Sequence, residues 1–73
     1  MSSVHTKSYQ EFLRKLRQAR ADAGLTQAQV AKALKKPQSF VSKCESGERR
    51  VDFAELQSFA RLFKCPLDYF KKA

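Results

Sequence analysis

"LTQAQVAKALKKPQSFVSKCESGERR", residues 25–50, decides the fold. It holds two short amphipathic segments joined by a connector too brief to let them part. Thr26 is placed to cap the first segment, whose apolar stripe is Val30, Ala31 and Leu34. The connector "KK" precedes Pro37, and a proline suits the first turn of a helix because its missing N–H would find no helical partner there. Pro37, Phe40, Val41 and Cys44 form the inward stripe of the second segment, and Gln38, Ser39, Ser42, Lys43 and Ser46 fall on the opposite side. Most short helices turn long charged residues to solvent. This one presents compact hydrogen-bonding groups instead.

Upstream, Ser8 reads as an N-cap with Glu11 as its capping-box partner, and Tyr9, Phe12, Leu13, Leu16, Ala19 and Ala23 follow helical spacing until Gly24 ends the helix. Residues 1–7, "MSSVHTK", show no periodicity and read as a disordered lead-in, which leaves 8–73 as one folded domain. Downstream, "SGERR" breaks the chain at Gly47. Asp52 and Glu55 repeat the capping pattern and open a fourth helix with Leu56, Phe59, Ala60 and Phe63 inside. "CPLDYF" then reads as a turn and a short fifth helix. The expected fold is all-α, a compact five-helix bundle with short connections.

Fifteen Lys and Arg against seven Asp and Glu leave a formal charge of +8, the electrostatic footprint of a polyanion binder. Charge alone does not choose among nucleic acid, an anionic membrane surface and an acidic protein. No apolar run has the length of a spanning helix or a signal peptide, so the expected compartment is the cytoplasm. Cys44 and Cys65 occupy apolar positions of helical patterns and read as reduced, buried thiols. With no histidine near them, they do not complete a tetrahedral zinc site. His5 falls in the lead-in, and no Ser/His/Asp, Cys/His, paired-carboxylate or phosphate-loop arrangement is present, so neither an enzyme nor a cofactor is expected.

The outward face of the second segment narrows the choice of anion. A major groove about 12 Å wide admits a helix only if its leading side chains are short. Gln38, Ser39 and Ser42 meet that condition. Gln pairs bidentately with adenine N6 and N7, Ser donates or accepts, and Lys43 reaches guanine O6 or N7, or a phosphate. Arg49 and Arg50, just past this helix, are candidates for phosphate, as are Lys35, Lys36 and Ser46, whereas Arg14, Lys15 and Arg17 read as a solvated face. Phe40 reads as a core-rim residue.

Residues 25–50 also resemble the helix-turn-helix of the Xre/Cro family of bacterial and phage repressors, through L-T-Q at 25–27, P-Q-S-x-V-S-K at 37–43 and E-S-G-E-R at 45–49. The similarity extends from about Phe12 to Phe70. It implies a five-helix, lambda-repressor-like domain that binds operator DNA as a two-fold dimer. Carried over by position, Gln27 matches a phosphate contact at the start of helix two, and Gln38, Ser39, Ser42 and Lys43 match the base-reading positions. Arg20 and Glu45 match an ion pair tying helix one to helix three. Where the family turn commonly carries Gly, this chain has Lys35. A left-handed backbone there costs a non-glycine residue about 1 kcal/mol.

Leu67, Tyr69 and Phe70 place more apolar surface at the chain end than a small domain easily covers. They are the expected contact between two protomers, with part of that surface, Leu67 and Phe70 first, expected to close the core under helix four and the rest to meet the second copy. The leading expectation is therefore a homodimeric regulator that consists of the DNA-binding domain without a sensor domain. Autoregulated repressor, restriction-modification controller, toxin-binding antitoxin and phage-type switch all remain open. The competing expectation is a basic helical module that holds an acidic protein. Against it stands the Ser- and Gln-rich face, since protein hot spots favour Trp, Tyr and Arg.

Overall fold

Helices this short hold their boundaries only where both ends are supplied with hydrogen-bond partners. The computed structural model describes residues 6–71 and shows four α-helices, α1 (Lys7–Asp22), α2 (Gln27–Leu34), α3 (Gln38–Ser46) and α4 (Phe53–Phe63), followed by a single 3-10 turn at Leu67–Phe70. Both internal capping boxes are closed. Thr26 Oγ1 accepts from the Gln29 N–H at 3.1 Å while Gln29 Oε1 accepts from the Thr26 N–H at 2.9 Å. Asp52 and Glu55 make the same exchange at 2.8 and 3.0 Å.

Two boundaries differ from the sequence reading. Thr6, not Ser8, caps α1: its hydroxyl accepts from the Tyr9 N–H at 3.2 Å. Glu11 is turned forward to Arg14 and is not available to complete a box at Ser8. Thr6 and Lys7 therefore belong to the helix start, and the remainder of the expected lead-in, residues 1–5, lies outside the described residues. The expected fifth helix is the 3-10 turn, with i→i+3 bonds from the Tyr69 N–H to the Pro66 carbonyl and from the Lys71 N–H to the Asp68 carbonyl, both at 3.1 Å. Pro66 leaves the turn without a side-chain cap, and the Lys15 ammonium takes the Tyr69 carbonyl at 3.1 Å.

Three of the four helix exits follow one pattern. After α1, the Gly24 N–H bonds to the Ala21 carbonyl and the Leu25 N–H to the Arg20 carbonyl, with Gly24 at φ +74°. The same pair of bonds closes α2 and α4, but with lysines in the left-handed position, Lys35 at φ +59° and Lys64 at φ +57°. The strain foreseen at Lys35 is present and is offset by the hydrogen bonds it permits.

Leu13, Leu16, Val30, Val41, Cys44 and Phe59 are fully buried at the centre of the bundle, with Ala19, Ala31, Ala60, Phe63 and Phe70 around them. Ala23, read as the end of the α1 stripe, is exposed because it is the C-cap. Leu34, Phe40 and Leu56 pack partly buried at the edge of this core, and Phe40 stacks on Phe59 with ring centroids 6.3 Å apart. Cys44 lies in the core, where burial pushes its thiol up from the ordinary value; Cys65, half-buried, is shifted in the same direction for the same reason.

One acid is buried among these residues. Glu45, on the inner side of α3, is 3% exposed. Arg20 of α1 meets it with two N–H groups, Nε to Oε2 at 2.6 Å and Nη2 to Oε1 at 3.1 Å, and Gln27 of α2 donates to Oε1 at 3.0 Å. Arg20 Nη1 also donates to the Leu25 carbonyl at 2.9 Å. The carboxylate thus holds three helices in one arrangement, and among the described residues no buried side-chain polar atom lacks a partner.

A second tie fixes the loop between α3 and α4. Arg49 forks onto Glu55 at 2.8 and 2.7 Å, with its guanidinium carbon 4.8 Å from the centre of the Phe40 ring. The hydrogen bonds from Arg49, joined by the backbone N–H of Asp52, hold the Glu55 carboxyl below its usual 4.5.

Two outcomes follow from these ties. Arg20→Ala strands a buried carboxylate and should cost about 3 kcal/mol, lowering the thermal midpoint by about 10 °C or more. Glu45→Gln should cost less, since Arg20 is 21% exposed and keeps the Leu25 carbonyl. Equal midpoints for Arg20→Ala and the native protein in a calorimetric scan would show that the pair does not hold the helices. For Glu55, whose folded pKa lies below the unfolded one, the contribution is complete above about pH 4.5 and is lost as pH falls through the lowered folded value. Glu11 is lowered in the same direction, first by its hydrogen bond to Arg14. Urea midpoints followed from neutral to acid pH should therefore drop less in Glu55→Gln than in the native protein; parallel curves would contradict the linkage.

Candidate nucleic-acid interface

Val41, Cys44 and Glu45 anchor α3 from its inner side, which determines what the outer side shows. Gln38, Ser39, Ser42, Lys43 and Ser46 are all exposed, on one continuous strip running the length of the helix. Pro37 begins the helix with extended backbone at ψ 155° and no side-chain cap, and Gly47 ends it in the left-handed region at φ +90°. The side chains of Gln38, Ser39, Ser42 and Lys43 extend from a rigid, short-chained ridge. Ser46 differs: its hydroxyl is turned back onto the Lys43 carbonyl and onto Glu48, each at 3.3 Å.

The α2–α3 pair packs more extensively than any other pair of elements. Gln27, expected on phosphate, sits half-buried at the start of α2 with one amide N–H on Glu45. Lys35 and Lys36 are exposed in the turn, and the Lys36 ammonium lies 5.2 Å from the centre of the Phe40 ring. Phe40 is half-buried, with its ring carrying the Lys36 and Arg49 cations, which matches its reading as a rim residue.

Beyond α3 the two arginines diverge. Arg49, expected on phosphate, is occupied by Glu55, whereas Arg50 is exposed and lies over the Tyr9 ring at 4.7 Å. Glu55 raises the Arg49 pKa further above its ordinary value, so Arg49 stays charged throughout.

Three residues carry more than their sequence pattern suggested. Arg17, read as part of a solvated face, donates to the Glu45 carbonyl at 3.0 Å and supports the C-terminal end of α3. It stands one turn before Arg20 on the same helix, a spacing that could have disclosed it. Tyr9, read only as core, accepts from the Val51 N–H at 3.1 Å through its hydroxyl. Phe53, in the first turn of α4, is 65% exposed.

At the chain end, the expected protomer contact divides. Phe70 packs into the core against Phe12, and what little of it stays exposed lines the groove beside the terminal turn. Leu67 and Tyr69 are half-buried, and the Lys15 ammonium covers the Tyr69 ring at 5.6 Å. A mainly apolar groove of about 410 Å³ opens beside them, lined by Phe12, Phe53, Leu56, Leu67 and Phe70 together with the charged Asp68 and Lys71.

Among the described residues no helix is long and apolar enough to cross a membrane. The search of curated proteins finds no match. A family model described as helix-turn-helix matches residues 16–70, which takes in most of α1, the whole α2–α3 unit, α4 and the terminal turn. With the match spanning well over half of its length, the chain belongs to the helix-turn-helix family, of the Xre/lambda-repressor-like kind, whose members are DNA-binding regulators.

Proposed function

We propose that this protein is a transcriptional repressor that binds a palindromic operator as a homodimer, with α3 of each protomer in the major groove. The observation that carries this reading is the α3 ridge: short hydrogen-bonding side chains, all exposed, on a helix whose other side is locked to the core. Gln38, Ser39, Ser42 and Lys43 read base edges in this scheme. Lys35, Lys36 and Arg50 supply phosphate contacts and hence the salt-sensitive part of the affinity, with Gln27 and Ser46 at the two ends of the helix pair. Arg49 contributes through the field of its charge while it remains on Glu55. The place of action is the cytoplasm, at the nucleoid.

The dimer contact is assigned to the groove beside the terminal turn. Phe53 stands on its edge, more exposed than any other large apolar residue described, and Leu67 and Tyr69 flank the same end of the molecule. A second copy related by a two-fold axis buries such a patch against itself. Two reading helices then address half-sites about 34 Å apart, one turn of the duplex.

Selection of binding sites from random duplex DNA tests the reading as a whole. A palindromic consensus is the expected result, and failure to enrich any sequence would overturn it in favour of an acidic protein partner. On the selected site, Gln38→Ala should cost about 1–3 kcal/mol and relax preference at one base pair per half-site. Equal losses on cognate and random duplexes would show that Gln38 does not read sequence. Phe53→Glu, at an exposed position in the first turn of a helix, should leave the fold intact and yield a monomer in sedimentation with much weaker operator binding. A native protein that sediments as a monomer and binds single half-sites as tightly as full ones would remove the dimer.

A further inference from the structure

Arg49 and Arg50 are neighbours in sequence, yet only one of them is free to meet a ligand. Arg49 is fixed by Glu55. Arg50 is exposed, and among the described residues no carboxylate pairs with it. The nearby acids are engaged elsewhere: Glu48 with Ser46, Asp52 with the Glu55 N–H.

The backbone around Arg50 is held on both sides. Arg49 Nη1 donates to the Arg50 carbonyl at 3.1 Å, and the Val51 N–H donates to the Tyr9 hydroxyl at 3.1 Å. The guanidinium itself lies 4.7 Å from the centre of the same Tyr9 ring, and that ring is braced by Phe12 at 5.2 Å. An arginine laid on an aromatic face keeps the N–H groups of its edge free to fork onto an anion. Because its rotamers are already restricted, it loses less entropy when it binds.

We propose that Tyr9 and Arg50 form a preformed seat for one backbone phosphate of duplex DNA, with Arg50 as the contacting residue and Tyr9 as its positioning residue. This rests on the DNA-binding reading above and extends the interface to the first turn of α1. The phosphate sits just past the C-terminal end of the reading helix, so the contact sets how far α3 advances into the groove. Its chemistry is independent of base sequence. The fork of Arg50 meets two non-bridging oxygens, while the tyrosine face holds the cation in place without neutralising it.

Titration with a random-sequence duplex over a range of salt concentrations tests the seat. Arg50→Ala should flatten the plot of log affinity against log salt by about 0.9, the signature of one lost phosphate contact. Arg50→Lys keeps the charge but not the planar face. It should preserve the salt slope and weaken binding about threefold. Tyr9→Leu should weaken binding by a similar factor in the native background and have no effect when combined with Arg50→Ala. An unchanged slope in Arg50→Ala, native-like binding by Arg50→Lys, or a loss from Tyr9→Leu that persists in the double variant would each overturn the seat. If Tyr9→Leu does not fold by circular dichroism, the exposed Arg50→Ala and Arg50→Lys variants still decide the matter. These failures leave native DNA binding intact and so are distinct from failure of the functional reading, in which the native protein itself would not bind duplex.

Discussion

A single buried carboxylate organises this protein. Removing Glu45 from water is unfavourable by several kcal/mol unless its oxygens are fully engaged, and the engagement here comes from two other helices, Arg20 of α1 and Gln27 of α2. Arg17 adds a bond to the backbone carbonyl of the same residue. Hydrophobic burial of Val41 and Cys44 would hold α3 against the core but leave some freedom to roll or slide, because apolar contact is not directional. The forked arginine removes that freedom. The orientation of α3, and therefore which side chains form the ridge, follows from a hydrogen-bond geometry located on the face opposite to the ridge.

The connections impose a comparable precision on where each helix stops. Three of the four helices end through the same pair of reverse bonds, and two of those ends place a lysine where glycine would be unstrained. At Lys35 the consequence is a turn short enough for α3 to begin at Gln38, only three residues later, with two cations at the junction of the helix pair. A Gly at that position would relieve the backbone but remove one of those charges. Conformational strain and electrostatic placement therefore oppose each other at this turn, and the left-handed backbone is retained.

What could be read from the sequence was what is local. Capping boxes at Thr26 and Asp52, the apolar stripes and the polar face of α3 each depend on residues three or four apart, and each has a periodic signature. The start of α1 departs from the pattern, which favours Ser8 for its capping-box partner Glu11: Glu11 pairs with Arg14 instead, and the Thr6 hydroxyl takes the Tyr9 N–H. The Arg20–Glu45 pair spans 25 residues and was foreseen only through resemblance; the Tyr9–Val51 bond spans 42 and has no sequence signature. The aromatic residues near the end show the same limit. Phe70 and Phe53 are chemically identical, one buried and the other 65% exposed, and only the packing of the terminal turn on α1 separates them.

The pair Arg49–Arg50 shows how two identical side chains acquire different work from their surroundings. Arg49 faces a carboxylate that is itself fixed as the N3 partner of a capping box, so its charge serves to join the loop to α4. Arg50 faces an aromatic ring, which attracts the cation without cancelling its charge. An isolated basic patch tells an approaching polyanion only that binding is favourable; a patch in which some cations are consumed internally and others are held open also determines where the polyanion lies. Of the fifteen basic residues, Arg20 and Arg49 are spent on carboxylates at the core and its edge, and the loop cation left open lies immediately beyond the ridge of α3. In the proposed complex, charge and shape thereby specify the same docking direction.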